Sequence, residues 1–106
     1  MAAIDKAALL AKFKLAIGDM TPGTQLDAYY SEKLDTAQAI IAANDISETI
    51  LATELGMSAI ILQAQVLIGN VDADEGNRTI ILMRNTLSAQ TKGERYEQGE
   101  DDADGA

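Results

Sequence analysis

The sequence predicts an all-α fold, a small bundle of about four helices followed by an extended acidic C-terminal tail. Three observations carry this. Apolar residues recur at three- and four-residue steps through most of the chain, which is the helical period and not the strand period. Alanine and leucine, both strong helix formers, recur throughout, whereas proline occurs once, at Pro22. From Lys92 on, glycine, glutamate, glutamine and aspartate displace almost every apolar side chain. The 106 residues suffice for one domain, so residues 1–91 read as a helical domain and residues 92–106 as a tail.

Residues 4–17 make the first predicted helix, with Ile4, Leu10, Phe13 and Ile17 on one stripe and Lys6, Lys12 and Lys14 over much of the other face. Gly18 can close it in a left-handed conformation, and residues 19–23 then turn around Pro22. Thr24 can cap the second helix. Leu26, Tyr30, Leu34, Ala37 and Ile41 line one side of it, Glu32, Lys33, Asp35 and Gln38 populate the other, and Asn44 lies at its end. Asp45-Ile46-Ser47-Glu48 has the order of a capping box, with Asp45 accepting from the first turn and Glu48 reaching back. That opens a short helix from about Ile46 to Leu55, punctuated by Gly56.

Residues 57–68 are apolar on all sides, with Ser58, Gln63 and Gln65 the only polar side chains. Such a segment is buried in the bundle centre or partly against another subunit. Its β-branched content permits a buried strand, but its length favours a helix. Residues 69–77 read as a loop rich in Gly, Asn and Asp. Residues 78–91 make the last predicted helix, with Ile80, Met83 and Leu87 on its stripe and Arg84 on the flank. Residues 92–106 cannot bury enough apolar surface to offset a backbone ordering cost of roughly 1–2 kcal/mol per residue, so order there is expected only on assembly.

Composition narrows function by exclusion. The chain has no cysteine and no histidine, which removes disulfides, thiolate metal sites, the commonest general base and the commonest zinc ligand. Carboxylates, a few cations and hydroxyls remain, so no catalysis and no cofactor are expected. Net charge is −9, spread as +2 over residues 1–18, −6 over residues 19–93 and −5 over residues 94–106. This balance argues against wrapping a phosphate backbone. No run approaches the roughly 18 apolar residues of a membrane span, and no secretory leader pattern opens the chain.

Local motifs resolve into bland readings. Asp72, Asp74, Glu75 and Asn77 resemble the start of a calcium loop, but the fifth, sixth and twelfth positions are Gly76, Asn77 and Met83 in place of an oxygen ligand, glycine and glutamate. A solvated helix-start loop fits better, and no metal site is expected. Glu100, Asp102, Asp104 and Gly105 repeat the spacing, but the closing glutamate is missing before Ala106. Leu55-Gly56-Met57-Ser58-Ala59 lacks the aspartate and leucine that flank the modified serine of acyl carrier proteins, which leaves Ser58 as a helix cap. Lys6, Lys12 and Lys14 form a basic patch too small to read sequence in a nucleic acid. Tyr29, Arg84, Arg95, Tyr96 and Glu97 are the candidate protein-interface residues. Tyrosine and arginine dominate interface energetics, and the pair Arg95-Tyr96 gives an acidic tail something to anchor with.

The organisation resembles the small head–tail connector (adaptor) proteins of tailed bacteriophages. The resemblance lies in the opening AALLAKFKLAIG, the Gly/Pro turn, the acid-dotted QLDAYYSEKLDTAQAIIA, a buried later helix and a polar end beginning near Lys92-Gly93-Glu94-Arg95. It implies a helical subunit of a ring of about twelve copies beneath the portal, extending the DNA channel and carrying the next neck or tail component. It also implies a virion location, with the host cytoplasm as the site of assembly. The family's C-terminal segment reaches onto the portal, and residues 92–106 hold that place here. DNA would pass without sequence-specific contact. The alternative reading is a cytoplasmic helical adaptor or regulatory module that binds one protein partner and forms no ring.

Overall fold

The computed structural model describes residues 4–19 and 25–97, and among these the chain is all helical. Five helices follow one another: α1 (Lys6–Ala16), α2 (Asp27–Ala42), α3 (Glu48–Leu51), α4 (Glu54–Leu67) and α5 (Ala73–Glu97). The apolar helix α4 is the centre. Helices α2 and α5 each pack along it, α1 lies across α2 and α4, and α3 bridges α4 and α5. The extents are 55 × 30 × 17 Å. Three helices side by side at 8–10 Å spacing account for the width, and one further layer for the thickness. The chain is therefore a row, α2–α4–α5, with α2 and α5 as its two edges.

Local chemistry starts the helices. Asp5 caps α1 by accepting from the Ala8 amide at 3.1 Å, and α1 closes at Gly18 with φ of 75°. Tyr30, Leu34, Ala37 and Ile41 of α2 are all buried. Leu26, placed on the same stripe from its spacing, is half exposed because it precedes the helix as its N-cap. Thr24 lies outside the described residues. The inner face of α1 is built on Leu9 and Phe13, with Ile4, Leu10 and Ile17 packed beside them. Phe13 meets Tyr30 edge to face, with centroids 5.4 Å apart. The Tyr30 hydroxyl donates to Asp19 at 2.8 Å, and this acceptor carboxylate raises the pKa of the phenol. The bond ties the end of α1 to α2. Its contribution is complete below the ordinary tyrosine value of about 10 and is lost as pH rises through the higher folded value.

Three boundaries differ from the sequence reading. The capping-box order at residues 45–48 is not used: Ser47 caps α3 by accepting from the Ile50 amide at 3.3 Å, and Asp45 turns into the left-handed region at φ 59°. Gly56 does not punctuate a helix. Thr53 caps α4 three residues earlier, accepting from the Gly56 amide at 3.2 Å. Gly56 lies in the first turn because α3 passes directly against it, and a Cβ there would collide with the Leu51 and Ile50 carbonyl oxygens. Ser58 is consequently an exposed residue within α4 and caps nothing.

The third difference is α5, which is 25 residues long. The loop predicted through Asn77 ends at Asp72, whose carboxylate accepts from the Glu75 amide at 3.1 Å. Asp74 and Glu75 then suit the positive end of the helix. At its far end α5 continues through Lys92, Gly93, Glu94, Arg95 and Tyr96, so residues 92–97 belong to the helical body and not to a tail. The fold supplies the reason: Thr91 is fully buried and accepts from the Ser47 amide at 3.2 Å. Residues 98–106 lie outside the described residues.

Two substitutions test this packing. Leu34→Asp places a charge at a position that is 3% exposed, and an unpaired buried charge costs several kcal/mol against a total stability of about 5–15 kcal/mol. The variant should lose its helical circular dichroism at 25 °C. Gly56→Ala should lower unfolding free energy by about 1–3 kcal/mol in urea titration, since backbone atoms must move to admit the methyl.

Candidate interaction surfaces

Each lysine of α1 has an acidic partner on another helix. Lys6 meets Asp35 at 2.6 Å, Lys14 meets Asp27 at 2.9 Å and Lys12 lies 3.7 Å from Glu54. The basic patch seen in the sequence is thus spent on orienting α1. Exposed pairs of this kind contribute up to about 1 kcal/mol each; the half-buried Lys14–Asp27 pair is the better placed. A surface cleft between α1 and α2, lined by Lys6, Leu9, Ser31, Leu34 and Asp35, holds about 210 Å³. That is below the roughly 300–1,000 Å³ of small-molecule pockets. Among the described residues no cluster of three or more acidic side chains is arranged to hold a metal ion.

The candidate interface residues do not converge. Tyr29 is exposed near the start of α2, its ring tilted against Tyr30 with centroids 5.8 Å apart and the Lys33 ammonium 5.5 Å from its ring centre. About 20 Å of α2 separates it from the turn at Asp45. Arg95 reaches that turn and is engaged within the subunit: its guanidinium donates two hydrogen bonds to Asp45, both 2.9 Å. Arg84 is half-buried three turns up α5 on the same side as Arg95. Tyr96 is 65% exposed beside the clasp, and Glu97 ends α5 with its side chain outside the described residues.

Asp45 makes the clasp geometrically possible. Its left-handed backbone turns the chain out of α2, and aspartate tolerates that conformation better than most residues do. The fork of Arg95 then meets both carboxylate oxygens, the arrangement that a planar guanidinium favours. The hydrogen-bonded Arg95, its charge and the nearby charge of Lys92 together hold the Asp45 carboxyl below its ordinary value, against a small opposing desolvation.

Sequence reasoning missed an exposed apolar pair on α5. Ile81 and Leu82 are 47% and 68% exposed on α5, one turn after Arg78. The available signal was an apolar pair adjacent to, but off, the Ile80–Met83–Leu87 stripe. A second signal was the absence of any acid between Gly76 and Gly93.

A titration tests the clasp. Followed by carbon NMR, the Asp45 carboxyl should titrate below the usual aspartate value of about 3.9, and Arg95→Gln should return it to that value. The clasp therefore supports the end of α5 above the unfolded value and releases it as pH falls through the lower folded one.

No family model, no curated protein and no solved structure matches this chain.

Proposed function

We propose that this chain is the repeating subunit of a ring at the head–tail junction of a tailed bacteriophage. In this reading it is a connector, or neck, protein that docks under the portal, extends the DNA channel and joins head to tail. The observation that carries the reading is the incomplete cover of a helical row. Helix α4 leaves Met57, Ile61, Leu62 and Val66 only half-buried. Both edges of the row display large apolar side chains, Tyr29 and Ile40 on α2, Ile81 and Leu82 on α5. Large apolar side chains exposed on two separate edges suit a subunit with a neighbour on each side. An adaptor for a single partner needs only one such surface.

Two further features support it. The sequence resembles the connector family in its opening segment, its Gly/Pro turn and its acid-dotted second helix. The net charge of −9 suits a conduit past which DNA moves, because an acidic surface repels phosphates. The subunit's work is then assembly, without catalysis or cofactor. Its partners are other copies, the portal and the next neck or tail component, and it resides in the virion after assembly in the host cytoplasm. The C-terminal segment, residues 92–106, makes the portal contact in this reading.

Electron microscopy of the purified chain at high concentration should show closed rings of about twelve copies. Truncation after Glu97 should leave α5 and the Arg95 clasp intact, while weakening capture by a portal at physiological salt. A chain that remains monomeric at every concentration, with or without a portal, contradicts the proposal. A truncated chain that binds a portal as tightly as the full chain assigns the contact elsewhere.

A further inference from the structure

We propose that residues 93–97 form a latch, a single helical turn hinged at Gly93 and held shut by Asp45, which opens while the rest of the fold stays intact. The glycines supply the first observation. Five lie among the described residues, and four of them have a structural reason to be glycine. Gly18 and Gly69 take φ of 75°. A Cβ at Gly56 would strike the Leu51 carbonyl oxygen, and one at Gly76 a Val66 methyl. Gly93 has neither reason: it lies within α5, and a Cβ there would meet nothing within 4 Å. Alanine would fit and would hold the helix better, so glycine at this link loosens α5 without serving its packing.

The second observation is where the anchoring of α5 stops. Leu87 and Thr91 are fully buried, and Thr91 accepts from the Ser47 amide at 3.2 Å. From Lys92 to Tyr96 no residue is buried. The turn is tied across to the body through Arg95, whose guanidinium donates twice to Asp45 at 2.9 Å. The loosened link therefore sits two residues beyond a fixed point and two before the tie.

The third observation is that the tie is open to water. The Asp45 side chain is 75% exposed and that of Arg95 34%. Water competes for both partners of such a pair, which makes it easy to part. Once it parts, Thr91 keeps the body of α5 in place and the change of direction falls at Gly93. The turn then leaves as a local unit of low stability.

Closed, the latch commits the Arg95 fork to the subunit's own carboxylate. Open, it releases the guanidinium beside Tyr96, which is already 65% exposed. On the connector reading, on which only this consequence rests, residues 93–97 are the root of the portal-contacting segment. The latch then decides whether Arg95 faces its own subunit or a neighbour.

Trypsin reads the latch in the full chain, because cutting after Arg95 requires both an extended backbone and a released guanidinium. When opening is fast, the initial rate tracks the population of the open form. Mass spectrometry resolves each site, and a peptide spanning residues 88–102 with the same residue at position 93 corrects for local sequence. The wild type should be cut after Arg95 at least about tenfold faster than after Arg84, which needs the body of α5 to open. Asp45→Asn keeps a residue that tolerates the left-handed turn but removes the charge, and should speed cutting after Arg95 by about threefold or more. Gly93→Ala should slow it about fourfold. Circular dichroism establishes that both variants are folded. Equal wild-type rates at Arg84 and Arg95 would mean that the turn opens only with the body of α5. A wild-type rate in Asp45→Asn would reduce the opening to ordinary fraying of a helix end, and a wild-type rate in Gly93→Ala would remove the hinge. Each of these overturns the latch. The assay needs neither a ring nor a portal, so a chain whose latch works but which never forms rings contradicts the connector reading alone.

Discussion

An apolar helix has to be covered, and most of this structure follows from how α4 is covered. Its 14 residues carry only Glu54, Ser58, Gln63 and Gln65 as polar side chains, and water contact with the rest costs about 25 cal/mol for each Å² left exposed. The remaining helices arrange themselves to meet that demand. Helix α2 contributes Tyr30, Leu34, Ala37 and Ile41, α5 contributes Ile80 and Leu87, and α1 brings Leu9 and Phe13 over the seam. Small residues at the centre, Ala37, Ala59 and Ala64, are fully buried and let the backbones approach closely. Cover is complete at Ala59, Ile60 and Ala64 but only partial at Ile61 and Leu62. Among the described residues no further helix covers them.

The long α5 needs a second anchor, because packing on α4 accounts for only part of its length. Gly76 places its first turn against Val66, where a Cβ would come within 2.5 Å of a Val66 methyl. Two long-range contacts fasten the other end. Ser47 donates to buried Thr91, and Asp45 receives the guanidinium of Arg95 four residues further on. Both partners come from the turn between α2 and α3, so one short segment closes α2, starts α3 and holds α5. The same clasp leaves Tyr96 exposed.

What could be read from the sequence was whatever repeats locally. The stripe Tyr30, Leu34, Ala37 and Ile41 is visible because burial on one side of a helix imposes its spacing. The apolar character of residues 57–68 announced a central helix. The misplacements share one cause, a local signal outweighed by contacts distant in sequence. Gly56 looks like punctuation until α3 is packed against it. The Gly93-Glu94 stretch looks like tail until Thr91 and Arg95 find partners 44 and 50 residues away. Asp45 has the identity of a helix cap but serves as the acceptor of a clasp. Of the interface candidates, Tyr29 and Tyr96 were chosen by residue type and do lie exposed. The apolar pair Ile81-Leu82 escaped notice because exposure is a property of the packed bundle and leaves no period of its own.

Helix α4 is the helix that the others cover. Native-state hydrogen exchange measures this directly, since amides that open only with the whole fold exchange at the rate set by global stability. The central amides of α4, from Ala59 to Ala64, should be the slowest in the chain and should respond to urea with the full slope of global unfolding. The last two turns of α5 should exchange faster, through local release of the Arg95 clasp. Exchange in α4 that is faster than in α2 or α5, with little dependence on urea, would contradict the account.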